Sequence, residues 1–98
     1  MYAVYMVECK DLKIYTGVTN NLERRIAEHN AGTDPKAYTF SRRPVRLIWN
    51  QDFTEILDAI SAEKQLKKWS AKKKRALVEG DIVKLIALSN GHVPSSST

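Results

Sequence analysis

The chain has 98 residues, 43% hydrophobic and 28% charged, with 16 lysines and arginines against 11 aspartates and glutamates, a formal net charge of +5. That length excludes an enzyme built on several cores, and the positive balance favours a polyanionic partner, nucleic acid ahead of membrane, because no basic amphipathic face rich in Trp or Phe stands out. A single cysteine, Cys9, excludes a disulfide framework and a thiolate metal cluster; with no signal-peptide pattern or membrane-span-length segment, the expectation is a cytoplasmic protein without a membrane partner.

Tyr2 to Glu8 mixes β-branched and aromatic residues without helical spacing and predicts a strand. Cys9-Lys10-Asp11-Leu12 is short and polar enough to turn, with Cys9 expected to be half-exposed. Lys13 to Val18 then predicts the returning strand of an antiparallel hairpin. Side chains alternate along a strand, so Ala3, Tyr5 and Val7 share one face, as do Tyr15 and Gly17. Antiparallel pairing can bring Tyr5 and Tyr15 to the same side, although the sequence does not fix the register. Asn20 and Glu23 form a capping pair for a helix from about Asn21 to Asn30, with Leu22, Ile26 and Ala27 on its buried stripe and Gly32 as its stop.

Thr33 to Arg43 predicts a polar loop carrying Tyr38 and Phe40 among basic residues. Pro44 opens a third strand, Val45 to Trp49, at a place where a missing N–H is tolerated. Thr54 caps a second helix reaching about Trp69, with Ile56, Leu57, Ile60 and Leu66 at helical spacing. Ser70 caps a third helix that ends at Gly80, and Asp81 opens a last short one through Leu88. The expected architecture is α+β, a single domain over residues 1–89 with a small three-stranded antiparallel sheet flanked by helices. Residues 90–98 are expected to form a flexible tail.

A nuclease must activate a water, hold a phosphate and neutralise the charge that grows in the transition state. Two phenols, Tyr5 and Tyr15, with Arg25 and His29 can do most of this, and Glu63 can supply a carboxylate for a metal. Arg25 and His29 are four residues apart and lie one above the other on a helix face. Arg24 points about 100° away, toward solvent. The plainer alternatives are two half-buried sheet tyrosines, and a surface ion pair of Arg25 with Glu23 or Glu28.

The order and spacing of Ala3-Val4-Tyr5, Tyr15-Thr16-Gly17, the helix Asn21-Leu22-Glu23-Arg24-Arg25 with His29, and the later Glu63 resemble the GIY-YIG nuclease superfamily, and within it the small stand-alone bacterial endonuclease type. The likeness runs from Tyr2 to about Leu88. It departs from the family pattern in having Ala3 for the leading glycine and Thr16 for the isoleucine of the second triplet. The resemblance implies divalent-metal-dependent hydrolysis of DNA, by nicking or by structure-directed cutting with little sequence specificity. In that scheme Tyr5 is the base and Tyr15 its orienting partner. Arg25 stabilises phosphate charge, His29 donates to a phosphate oxygen or moves protons, and Glu63 holds one Mg²⁺ or Mn²⁺.

A phenol with an ordinary pKa near ~10 is a poor base at neutral pH, so Arg25 or the metal is expected to favour its phenolate. Tyr5→Phe is expected to change stability little. Arg42, Arg43, Lys64, Lys67, Lys68, Lys72 and Lys73 can track a DNA backbone without reading sequence; the bland alternative for such runs is a solvated face. Two other readings keep the fold without turnover: a nucleic-acid-binding module, and a small basic interaction protein.

Overall fold

The apolar run near the amino terminus becomes the middle of the sheet. In the computed structural model, which describes residues 1–90, β1 (Tyr2–Glu8) lies between β2 (Ile14–Thr19) and β3 (Arg46–Phe53) and is antiparallel to both. A central strand is covered on both faces, and all five residues from Ala3 to Val7 are buried. The hairpin register places Tyr5 opposite Gly17, Met6 opposite Thr16 and Val7 opposite Tyr15. Tyr5, Val7 and Tyr15 therefore share a face, and the register that the sequence left open is settled. On the other side, pairing shifts between Met6 and Val7, whose partners are Trp49 and Leu47, a bulge that leaves Ile48 without an opposite residue.

The helix α1 (Leu22–Ala31) starts one residue later than expected. Thr19 Oγ1 accepts from the Asn21 N–H at 3.1 Å, which fixes the turn, and Asn21 becomes the cap by accepting from the Arg24 N–H. Gly32 ends the helix in the left-handed region, at φ 67°, with its N–H on the Glu28 and His29 carbonyls. Leu22 and Ile26 pack against the cluster of Tyr5, Val7, Cys9 and Val45. Ala27 is exposed instead of lying on the buried stripe, and Cys9 is buried instead of half-exposed. Burial pushes the Cys9 thiol pKa up, so the thiol is held in its neutral form.

Strand β3 runs four residues past Trp49, because its polar stretch Asn50-Gln51-Asp52 still pairs with β1 down to Tyr2 opposite Phe53. The helix α2 (Ile56–Lys67) starts after Glu55, which makes no side-chain cap bond, so Thr54 is not the cap. Its buried stripe is Ala59, Glu63 and Leu66, while Ile56 and Leu57 are exposed. The helix thus packs on the sheet through a stripe that includes an acid.

Residue contacts divide the chain after Lys68. The second unit contains α3 (Ala71–Glu79) and α4 (Ile82–Asn90), which pack on each other. Ser70 caps α3 by accepting from the Lys73 N–H at 3.1 Å, and Asp81 accepts from the Lys84 N–H at 3.0 Å. The last helix continues two residues past Leu88, so the expected tail starts inside α4, and its remainder, 91–98, lies outside the described residues. Among the described residues no helix is long and apolar enough to cross a membrane.

Candidate active site

The Tyr5 ring lies directly over Gly17. A Cβ at position 17 would stand 2.5 Å from the Tyr5 hydroxyl oxygen and 2.6 Å from the ring carbon that bears it. The glycine of the second triplet is thus a floor for the tyrosine of the first. This placement buries Tyr5 to 1% exposure and leaves its Oη 2.8 Å from Nε2 of His29, in the last turn of α1. The other imidazole nitrogen, Nδ1, is 2.8 Å from Oγ1 of Thr39, and both His29 and Thr39 are buried. Tyr15 closes the group, its ring centroid 5.3 Å from that of His29 in an edge arrangement and 6.4 Å from that of Tyr5.

Arg25 stands one turn earlier on α1, near enough for its guanidinium to draw the Tyr5 pKa down. It also donates to Glu28 at 3.2 Å, so the expected ion pair and the approach to the tyrosine coexist. Arg24, with 64% of its side chain exposed, is the solvent-facing neighbour. Desolvation pushes the Tyr5 pKa up despite the opposing effect of Arg25. The guanidinium does favour the phenolate, as expected, but burial outweighs it in this resting arrangement. Burial and then Arg25 push the His29 pKa down, against the opposing charge of Glu28. Near neutral pH the pair is therefore a phenol and a neutral imidazole.

In one tautomer of the neutral imidazole the Tyr5 hydroxyl donates to His29 Nε2 and the N–H at Nδ1 donates to Thr39 Oγ1; in the other both bonds run the opposite way. The resulting line runs Tyr5 to His29 to Thr39.

Glu63 stands on α2 with 11% of its side chain exposed, its Oε2 2.6 Å from the Lys67 ammonium one turn on. The Lys67 nitrogen is also 5.8 Å from the centroid of the Tyr15 ring, which connects the acid to the tyrosine group. Glu63 holds the Lys67 pKa up through their hydrogen bond. Among the described residues no group of three or more His, Cys, Asp or Glu side chains could cage a metal. A lone carboxylate offers Mg²⁺ or Mn²⁺ one ligand, the rest coming from water and phosphate, and the Lys67 ammonium competes for it.

The other basic residues divide sharply. Arg42 lies over the Tyr38 ring at 4.1 Å and bonds Asp11 at 3.0 Å, while Tyr38 itself stacks on Tyr15 at 5.9 Å. Arg43 lies over Phe40 and donates to its carbonyl at 2.7 Å. Lys73 covers Trp69 at 4.1 Å, and Lys67 is taken by Glu63. Lys64, Lys68 and Lys72 are exposed. Sequence reasoning missed Thr39 and the Tyr38-Arg42-Asp11 stack. Its one usable signal was the crowding of hydroxyl, aromatic and basic residues between Tyr38 and Arg43, which has no helical or strand period.

Comparison with known proteins bears on the family and the fold. The family model of the GIY-YIG catalytic domain matches residues 1–76. A UPF0213 protein of Staphylococcus haemolyticus is 45% identical over 76 residues, covering 78% of this chain and 92% of the relative. One from Haloquadratum walsbyi is also 45% identical, covering 78% and 84%. Among solved structures, the solution NMR structure of a Bacillus halodurans UPF0213 protein is 35% identical with a TM-score of 0.53, covering 99% of this chain and 100% of that one. An E. faecalis protein solved by NMR is 34% identical with a TM-score of 0.57, covering 84% and 86%.

Proposed function

This chain belongs to the GIY-YIG catalytic domain family, and from that premise we propose that it is an endonuclease hydrolysing phosphodiester bonds in DNA with a divalent cation, through one site made by Tyr5, Tyr15, Arg25, His29 and Glu63. The observation that carries this reading is the buried hydrogen bond between Tyr5 Oη and His29 Nε2, with the Arg25 guanidinium near enough to favour the phenolate. A phenol with a raised pKa cannot act as a resting phenolate, but it can relay a proton. As a water attacks phosphorus, its proton passes to the Tyr5 oxygen and the Tyr5 proton passes to His29 Nε2. The water oxygen forms the new bond to phosphorus, the bond to the departing ester oxygen breaks, and that oxygen takes a proton from solvent. His29 ends as an imidazolium and Tyr5 is regenerated.

Arg25 faces the place where negative charge grows and can stabilise it. Tyr15, held by Tyr38 on its ring, orients the imidazole and the water. Glu63 would hold the cation, which supplies charge neutralisation at the phosphate when bound. Exposed Lys64, Lys68 and Lys72 are proposed to contact the DNA backbone, which gives affinity with little sequence preference.

A second reading, binding without turnover, draws on Lys67 sitting on Glu63 where the cation is needed. One experiment separates them: supercoiled, branched and single-stranded DNA are incubated with the protein, with Mg²⁺, with Mn²⁺ and with EDTA. Cation-dependent nicking that is lost in Arg25→Ala and Glu63→Ala is the expected result. Salt-sensitive DNA binding with no cleavage under any condition overturns the hydrolase and leaves the binding module.

A further inference from the structure

Two cations from different helices approach Tyr15. Arg25 stands on α1 and Lys67 in the last turn of α2, and both lie within electrostatic reach of the Tyr15 hydroxyl. The Lys67 nitrogen is 5.8 Å from the centroid of the Tyr15 ring and 2.6 Å from Glu63 Oε2. The two ends of that ion pair are not equally placed. Glu63 sits in the packed stripe between Ala59 and Leu66, whereas half of the Lys67 side chain is exposed. The carboxylate is therefore the fixed end, and the ammonium, on a flexible four-carbon stem, is the end that can swing away. Support of the helix does not explain the arrangement. A Glu–Lys pair four residues apart supports a helix equally well on a solvated face, and an apolar residue in the stripe would avoid the cost of burying a charge.

An ammonium near the phenol of Tyr15, with a guanidinium near the same phenol, is suited to hold a phosphate oxygen through a charge-assisted hydrogen bond. In the structure that ammonium is engaged by Glu63. We propose that Lys67 is a phosphate ligand held in reserve: Glu63 keeps its ammonium beside Tyr15, and neutralising that carboxylate releases the ammonium to a DNA phosphate that Arg25 also holds. The inference rests on the proposed roles of Glu63 toward the cation and of Arg25 toward phosphate, since a cation taken up by Glu63 is what would neutralise it. Cation and phosphate then favour each other's binding through one side chain, because whichever arrives first loosens the ion pair for the second.

The test reads binding, with EDTA present so that neither a divalent cation nor cleavage enters. A fluorescein-labelled single-stranded oligothymidylate is titrated with the full chain by fluorescence anisotropy across a salt series. Glu63→Gln imitates the neutralised carboxylate, and Glu63→Ala repeats the comparison should glutamine disturb the helix. Either should bind about fivefold more tightly than the parent, the scale of one ion pair released. The slope of log affinity against log salt should steepen by about 0.7, the scale of one added phosphate contact on a single strand. Both gains should vanish when Lys67→Met accompanies the Glu63 substitution and persist when Lys67→Arg does. No gain in either Glu63 variant, or an equal gain beside Lys67→Met, which would report only a weaker negative field, overturns the inference. If the gains follow Lys67 while the parent cuts no DNA with Mg²⁺ or Mn²⁺, the reserve ammonium stands and the hydrolase reading fails.

Discussion

Replacing Tyr5 by phenylalanine removes one oxygen from a buried site and leaves the ring on Gly17. A half-exposed sheet tyrosine would tolerate this with little change in stability, which is the expectation the sequence supports. The structure reverses it. Tyr5 is 1% exposed, and its hydroxyl is the partner of His29 Nε2, 2.8 Å away in a buried residue. The substitution strands that nitrogen, and a buried polar group deprived of its partner costs about 1–3 kcal/mol. In a domain of this size each kcal/mol moves the melting temperature by roughly 4–8 °C, so the loss is readily measured. Urea unfolding followed by far-ultraviolet circular dichroism should show a lower midpoint with an unchanged slope. Cleavage of supercoiled DNA should fall by about 10²-fold or more, the scale of a lost proton-transfer group. A Tyr5→Phe variant within about 0.5 kcal/mol of the parent, a surface-like effect, and equally active would refute both the buried network and the relay.

Gly17→Ala should destabilise by about 1–3 kcal/mol through overpacking against the Tyr5 ring and should slow cleavage as the phenol leaves His29; a fully stable, fully active variant would contradict the floor role. The lowered His29 pKa makes folding stability complete above the unfolded-state value near 6.5 and progressively lost as pH falls from there through the folded value. Denaturation midpoints measured between pH 7.5 and pH 5 should therefore fall more steeply in the parent than in His29→Gln. Lys67→Met removes the ammonium that competes for Glu63, and should raise Mn²⁺ affinity by about fivefold, the scale of one exposed ion pair. Manganese titration by electron paramagnetic resonance reads this directly, and unchanged or weaker binding would show that the lysine does not occupy the cation's place.

Much of the architecture was legible because it follows from local rules. The central strand announced itself by composition, and Gly32, Ser70 and Gly80 marked helix ends that the structure reproduces. The errors share a cause: tertiary pairing overrode local pattern. Asn50-Gln51-Asp52 reads as loop, yet it completes β3 because β1 offers it a ladder. Ile56 and Leu57 read as core, yet α2 turns a face with Glu63 inward. The tyrosines, arginine and histidine were recognisable from spacing, and the structure brings these four together. Thr39 was not recognisable, since its meaning depends on a loop folding back over ten residues to reach His29.

The Asn30 side chain has a wider consequence. Its amide accepts from the Val45 N–H at 2.7 Å and donates to the Val45 carbonyl at 2.9 Å, as a neighbouring strand would. The excursion from 31 to 44 is therefore stapled at its root, and Arg42 staples it again near its far end through Asp11. Between those staples Thr33 to Lys36 is exposed and lies upstream of Tyr38 and Thr39. Lengthening a loop whose ends are already held adds only about 0.6 kcal/mol per doubling of length. That short exposed stretch is a natural port for grafting a foreign recognition segment, which would then stand beside the cavity that Thr33 and Asp34 line with Arg25 and His29.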